Sequence, residues 1–292
     1  MAQGPAVAVA PSVRRRPARW VRSGFGTGLV VTGGLMLLLV VVLAVVAPAL
    51  SPWGPLEIDP EANLTPPGGN HLLGTDSNGM DVWSRLLHSV PIDLGIAVAA
   101  VVIAVTVGTA VGLVTGYVGR WLDDGVMRVI DILQAFPTFI LALAVSALLG
   151  QSTQNLVIVL AIVNAPAYAR LVRTEVRTVR ELPYVDAARV SGSSMVGILW
   201  RHVLPNSLTP VRVIAPLNCG WTMLSLAGLS FVGLGVPVPR PEWGAMISLG
   251  SADIVAGRWW TSVPPGLALL FCVLAFSMIG EGLQDRANRR SS

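Results

Sequence analysis

The chain has 292 residues, of which 53% are hydrophobic and only 12% are charged, and its mean hydropathy of +0.68 excludes a soluble globular domain. Its formal net charge is +4, and all 20 basic residues are arginines. Because a Walker A phosphate-binding loop requires a lysine, the chain carries no conventional ATP site and we expect no cofactor in it. We therefore expect a membrane protein that is not itself an enzyme, with no metal site and no affinity for nucleic acid.

The N-terminal region predicts a basic tail followed by a membrane span. Residues 1–26 are rich in Ala, Pro and Arg, which predicts a cytoplasmic tail in contact with anionic lipid. Residues 27–49 are the first predicted transmembrane helix, since a span takes about 20 apolar residues. The alternative is a signal peptide cleaved after Ala47-Pro48-Ala49, but the apolar run exceeds the roughly 7–15 residues of a signal peptide.

Residues 50–89 contain too many Pro, Gly, Asn and Asp residues to lie in lipid, and we predict an external loop there. Two of its carboxylates, Asp76 and Asp81, admit two interpretations: a metal site, or caps of turns and helices. We favour the caps, because carboxylates on a turn-rich loop commonly accept hydrogen bonds from nearby backbone N–H groups.

Residues 90–285 form the predicted membrane core, and residues 286–292 a C-terminal tail. Five further spans are predicted at residues 92–118, 126–149, 156–172, 208–234 and 263–283. Between the last two lies a predicted external segment whose tryptophans suit the membrane interface: Trp243, Trp259 and Trp260.

Glycines recur at every fourth position in the second predicted span. Gly108, Gly112 and Gly116 form a small-residue stripe, which allows another helix to approach closely. Two cysteines, Cys219 and Cys272, lie in apolar runs, so we expect them to be free and to pack as small apolar side chains.

The arginines predict the topology. With the N-terminus inside, sixteen of them fall on or near the cytoplasmic side, whereas Arg85, Arg240 and Arg258 fall outside and Arg212 lies in the fifth span. This asymmetry matches the positive-inside rule. Both termini and residues 183–205 are therefore predicted to be cytoplasmic.

Residues 183–205 are a polar, Arg-bearing segment between long apolar runs. Pro183 can begin a helix, Gly192 can end it in the left-handed conformation, and Pro205 is expected to stop a second short helix. The apolar face of that second helix is predicted to comprise Met195, Ile198 and Leu199. Such a pair of helices suits a groove in another protein, and it equally suits the membrane surface. The residues alone leave both interpretations open.

Several motifs resemble those of one transporter family. HLLGTDSNGMDVWSRLLHS, MRVIDILQAFPTFILAL and LSFVGLGVPVPRPEWGAMI are similar to segments of the C-type permease subunits of dipeptide, oligopeptide and nickel ABC importers. Residues 183–205 resemble the EAA motif with which such permeases dock on an ATPase, and the matching residues are Asp186, Ala187, Ala188, Gly192, Leu204 and Pro205. The chain departs from the pattern at Leu72, Met80 and Leu226, and it has Asp186 where glutamate is usual.

The resemblance implies an all-α polytopic membrane protein with six transmembrane helices, the type I permease fold of ABC importers, and coupling helices at residues 183–205. It implies a heterodimer with a homologous B-type permease, two cytoplasmic ATPase domains that bind ATP and Mg, and an external substrate-binding protein. The chain is then expected to form half of a peptide pathway in the bacterial cytoplasmic membrane. Dipeptides, longer peptides, nickel and haem remain open as the cargo.

Few ionisable residues lie inside the predicted spans, and no catalytic constellation is evident. Asp131 and Gln134, near the inner end of the third span, are candidates for a pathway or gate. Asp131 is also positioned to pair with Arg128 at the membrane surface, and Asp93 begins the second span. A secondary transporter driven by an ion gradient is the alternative function, but its buried acid pairs and inverted repeats are not evident.

Overall fold

The computed structural model describes residues 25–290, which are helical apart from their loops. The longer helices are α1 (Phe25–Val45), α3 (Val82–Val118), α4 (Arg120–Ala135), α5 (Thr138–Leu149), α6 (Thr153–Val179), α7 (Pro183–Val190), α10 (Thr209–Phe231), α11 (Trp243–Val255) and α12 (Val263–Arg290). The short ones are α2 (Ala47–Leu50), α8 (Met195–Ile198) and α9 (Leu204–Ser207). Most of the predicted tail over residues 1–26, and the last two residues of the tail over 286–292, lie outside the described residues.

Five helices are long and apolar enough to cross a bilayer: α1, α3, α6, α10 and α12. α3 has 37 residues and α6 has 27, so both exceed the about 20 residues that a span requires. α3 extends beyond its predicted start because Asp81 caps it, accepting a hydrogen bond from the Ser84 backbone N–H at 2.7 Å.

The third predicted span is not one continuous helix, which corrects the sequence prediction. α4 and α5 meet at an angle of 94°. The break falls at Phe136, whose backbone is extended, and at Pro137. A proline disfavours the α conformation of the residue before it, so the apolar run over residues 126–149 cannot remain straight.

The glycine stripe of α3 lies directly against α6. A Cβ atom added at Gly108 would lie 2.7 Å from the Ala165 carbonyl oxygen, and one added at Gly112 would lie 2.4 Å from that of Ala169. At Gly116 the nearest atom would be the carbonyl oxygen of Arg173, at 2.8 Å. Real Cβ contacts are not that short, so the two backbones approach as closely as they do because these positions lack side chains.

The external loop is held together by its own carboxylates. Asp76 accepts hydrogen bonds from the backbone N–H groups of Asn78 and Met80 at 2.8 and 3.0 Å. Asp81 binds His71 Nδ1 at 3.0 Å in addition to capping α3. Both carboxylates therefore serve as caps, and no group of three or more His, Cys, Asp or Glu residues within 25–290 is arranged to hold a metal ion.

The segment after α10 contains a helix, and two of the tryptophans predicted to suit the membrane interface are buried within the protein. Trp243 and Trp260 are buried, and their indole N–H groups donate to the carbonyl oxygens of Leu86 and Thr75, both at 3.1 Å. Buried tryptophans need such partners. The segment therefore packs onto the outer end of α3 and the external loop.

Buried acids hold the start of α11 in place. Glu242 accepts from the backbone N–H groups of Gly244 and Ala245, both at 2.7 Å, and so caps the helix. Asp93 accepts from the Trp243 backbone N–H at 3.2 Å. Asp93, which begins the second predicted span, thus holds α11 against α3.

The core contains both cysteines and Leu226. Cys219 and Cys272 are buried and free, as predicted. Leu226, one of the positions at which the chain departs from the motifs it resembles, is buried in an apolar cluster with Ile96 and Val159.

We predict that Gly112→Leu abolishes folding. A leucine would overlap the α6 backbone, and overpacking alone costs about 1–3 kcal/mol even where neighbours can move. Gly95→Leu on the same helix is the matched control, because a Cβ added at Gly95 meets nothing within 4 Å. Monodisperse yield in detergent measures the difference. An equal yield from both variants would show that the α3–α6 contact is dispensable.

Candidate functional site

The first helix of the segment over residues 183–205 is defined at both ends by its sequence. α7 begins at Pro183, as predicted, and ends in a Schellman motif. The N–H of Gly192 binds the Arg189 carbonyl at 3.0 Å, and that of Ser193 binds the Ala188 carbonyl at 3.1 Å. Gly192 has φ +79°, as its predicted role requires.

The second helix of the segment differs from the prediction, because Pro205 does not stop it. Ser194 caps α8 by accepting from the Gly197 N–H at 3.2 Å. α8 then passes through a π-turn at Leu199–Val203 into α9, which contains Pro205 in its first turn. The wider π-turn accommodates a residue that lacks an N–H and would otherwise clash with the preceding turn.

The segment exposes apolar side chains at its tip. Val190 is 90% exposed, and Val196 and Trp200 are each 64% exposed. Of the predicted apolar face, Met195 is also exposed, while Ile198 is buried and Leu199 is half-buried. Exposed apolar side chains concentrated in one short segment are typical of a protein contact.

The residues of the EAA-like motif divide between the tip and the base of the segment. Asp186, Ala187, Gly192 and Pro205 are exposed, whereas Ala188 and Leu204 are half-buried. The Asp186 carboxylate pairs with Arg189 at 2.9 Å. The Arg189 guanidinium lies 5.8 Å from the centroid of the Tyr117 ring, and the Tyr117 hydroxyl, followed by Asp186, raises the pKa of Arg189.

Arginines at the inner end of α6 connect this segment to the membrane core. Arg180 donates to the carbonyl oxygens of Gly116 and Tyr117 at 2.9 and 3.1 Å, which satisfies the C-terminal end of α3. Asp123 of α4 is buried and binds both Arg173 and Arg177. Sequence reasoning missed this cluster. Its one signal is the spacing of the two arginines, four residues apart on α6.

A cavity of about 380 Å³ lies between the α4–α5 break and α6. We name it the break cavity. Its polar lining consists of Gln134, Thr138, Asn164 and Arg170. Asp131 lies at its edge and pairs with Arg170 at 2.6 Å, so the predicted partner Arg128 is wrong. Both side chains of this pair are about half exposed.

Comparison with known proteins identifies the family. The model of the binding-protein-dependent transport system inner membrane component matches residues 108–292, more than half of the chain. The chain belongs to this family. A second model, the N-terminal transmembrane domain of oligopeptide transport permease C, matches residues 28–67 of the permease.

Similar curated proteins are permease subunits of about the same length. The dipeptide transport system permease protein DppC of Alkalihalophilus pseudofirmus is 40% identical over 88% of this chain and 84% of its own. The di/tripeptide permease DppC of Pseudomonas aeruginosa is 40% identical over 87% and 86%. The glutathione permease GsiD of Escherichia coli is 39% identical over 88% and 85%.

The fold is that of an ABC importer permease. An inward-facing structure of the MetNI methionine ABC transporter matches 70% of this chain and 95% of its own, with a TM-score of 0.54 and 20% identity. The protein is thus a multi-pass transmembrane permease subunit of an ABC importer, as the resemblance implied. The alternative of a secondary transporter finds no support in these relatives.

We predict different effects on stability at the two acids of α4. Asp123→Asn removes a buried charge that two arginines bind, and we expect it to destabilise the permease by about 1–3 kcal/mol. Asp131→Asn is the matched control, because an exposed ion pair contributes only about 0–1 kcal/mol. Thermal unfolding of the purified complex measures both. Equal melting temperatures would contradict the anchoring role of Asp123.

Proposed function

We propose that this permease forms half of a translocation pathway for short peptides and pairs with a homologous B-type permease. The cargoes of its similar relatives support a peptide cargo, because those relatives are permeases for dipeptides, for di- and tripeptides and for glutathione. An importer permease provides passage and transmits movement. It carries out no bond chemistry.

The exposed apolar tip of the segment over residues 183–205 carries the proposal of an ATPase partner. Val190, Val196 and Trp200 are well exposed in this chain, and a cytoplasmic partner with an apolar groove would bury them. We propose that the segment docks on one of two cytoplasmic ATPase domains, which bind ATP and Mg. Closure of the ATPase pair then moves the segment and, through it, the membrane helices.

An external substrate-binding protein is the third proposed partner. The external loop and the turn between α11 and α12 are joined by the hydrogen bond from Trp260 to Thr75, at the end of the bundle opposite the segment over residues 183–205. A rigid outer surface favours recognition of a folded partner, because little conformational entropy is lost on binding. This protein would select the peptide and release it into the pathway.

We predict that Gly192→Val abolishes transport while leaving the complex in the membrane. Gly192 has φ +79°, where a branched side chain costs on the order of 1–2 kcal/mol. An added Cβ meets nothing within 4 Å inside this chain, so the expected defect lies in the shape of the docking surface. Uptake and ATP hydrolysis in proteoliposomes of the whole complex measure it.

The control for this variant is Gly257→Val. Gly257 has φ +78° and equally open surroundings, but it lies after α11 at the opposite end. Gly257→Val introduces the same backbone strain as Gly192→Val but lies outside the docking surface, so uptake should persist.

Asp186→Ala should impair transport less than Gly192→Val, because it removes one exposed charge contact and keeps the shape of the segment. Normal uptake with Gly192→Val would favour a membrane-surface linker and contradict docking.

We propose further that both termini are cytoplasmic and that the permease lies in the bacterial inner membrane. Two exposed valines test the orientation: Val255 is 93% exposed and Val190 is 90% exposed. After replacement of both native cysteines, Val255→Cys should react with an impermeant thiol reagent in intact cells. Val190→Cys should react only in inverted vesicles. The opposite pattern would reverse the topology.

A further inference from the structure

The depth of the break cavity in the membrane follows from the lengths of α5 and α6. α5 has 12 residues, and at about 1.5 Å per residue it is about 18 Å long, too short for a bilayer core of about 30 Å. α5 and α6 meet at residues 150–152, at the end of the bundle opposite the docking segment. The start of α5 therefore lies deep within the membrane.

Asn164 lies at a similar depth on α6. It follows the first residue of that helix by eleven positions, which places it about 17 Å along the helix axis. Arg170 lies a further six residues toward the cytoplasm. The polar lining of the break cavity therefore extends from the middle of the membrane to its inner boundary.

Two interruptions of the helical backbone face this cavity. The first N–H groups of α5 have no side-chain cap. On α6, Pro166 has no N–H to donate, so the carbonyl group of Ile162 has no partner in its own helix. Irregular backbone at membrane depth persists only where it is covered by protein or lines water. Because four polar side chains line the same cavity, water is the partner that suits these groups.

The polar side chains of the cavity retain hydrogen-bonding capacity. The Asn164 amide donates to the Leu160 carbonyl at 2.7 Å and contacts Thr222 Oγ1 at 3.4 Å, which leaves its carboxamide oxygen available. Gln134 makes no hydrogen bond within residues 25–290. A carboxamide both donates and accepts, and a peptide unit requires both kinds of partner.

We infer that the break cavity is the part of the translocation pathway that this chain supplies at mid-membrane, where Gln134, Thr138 and Asn164 contact the amide groups of the cargo. The pair Asp131–Arg170 closes its cytoplasmic side. Because both side chains are about half exposed, the ion pair is weak enough to break during each transport cycle. The peptide nature of the contact rests on the proposed function; the hydration and location of the cavity do not.

Cysteine reactivity tests the cavity in proteoliposomes of the whole complex, with Cys219 and Cys272 replaced. The probes are Gln134→Cys and Asn164→Cys, with a small charged methanethiosulfonate as the reagent. Val107→Cys is the matched control. Val107 is 48% exposed but does not line the cavity, and it lies eleven residues from the inner end of α3, or about 17 Å.

Both cavity cysteines should react at least about tenfold faster than Val107→Cys, because the reactive thiolate forms in water. Labelling should also lower the uptake that each unlabelled cysteine variant supports. Gln134→Cys remains informative if Asn164→Cys folds poorly, since Gln134 is exposed and bonds to no described residue. Slow labelling of both, or fast labelling without loss of uptake, would overturn the inference and identify the cavity as a packing surface.

The wild-type complex separates this inference from the proposed function. If it does not take up di- or tripeptides with its binding protein, the peptide cargo and the amide contacts are wrong. If the complex takes up another solute, and fast labelling of the two cavity cysteines blocks that uptake, the cavity still belongs to the pathway.

The closing pair has its own test. Asp131→Asn should raise the labelling rate of Gln134→Cys several-fold from the cytoplasmic side, because Arg170 loses its partner. Asp186→Asn is the control, since Asp186 is equally exposed and pairs with Arg189 at 2.9 Å away from the cavity. Equal rates in both backgrounds would contradict closure by Asp131–Arg170.

Discussion

The close approach of α3 and α6 is the constraint on which the rest of this permease depends. Lipid tails are as apolar as leucine, so helices in a membrane gain little from burial alone and associate through close packing. The glycine stripe brings the two backbones into contact, with an added Cβ at Gly112 only 2.4 Å from α6. That contact fixes the inner ends of both helices, where Arg180 binds the last carbonyl groups of α3. The segment over residues 183–205 begins immediately afterwards.

The polar clusters at the two ends of this helix pair differ in the groups that form them. At the outer end, Asp81 and Glu242 cap helices and Asp93 binds backbone, so carboxylates join the external loop and α11 to the bundle. At the inner end, arginines of α6 bind Asp123 and Asp131. Arginine suits that position because it remains charged at the membrane boundary and binds carboxylates with two nitrogens.

Sequence reasoning succeeded where a pattern is local and periodic. The spans follow from apolar length, the start of α7 from Pro183, and the left-handed backbone from Gly192. It failed where contacts with other parts of the chain determine the local structure. Pro137 breaks an apolar run that composition alone makes continuous, and a π-turn lets the chain continue through Pro205. The partner of Asp131 lies 39 residues away on another helix, a distance that no spacing rule covers. Trp243 can be buried because its indole N–H group donates to the carbonyl oxygen of Leu86.

The π-turn before Pro205 has a mechanical consequence. From Met195 to Phe231 the chain is almost entirely helical, and its irregular points are the π-turn, Leu208 and Pro216 inside α10. Continuous helical turns, and no extended loop, therefore join residues 195–207 to α10. Backbone hydrogen bonds within such turns resist stretching. A displacement of residues 195–207 would therefore reach α10 through the backbone as well as through side-chain contacts.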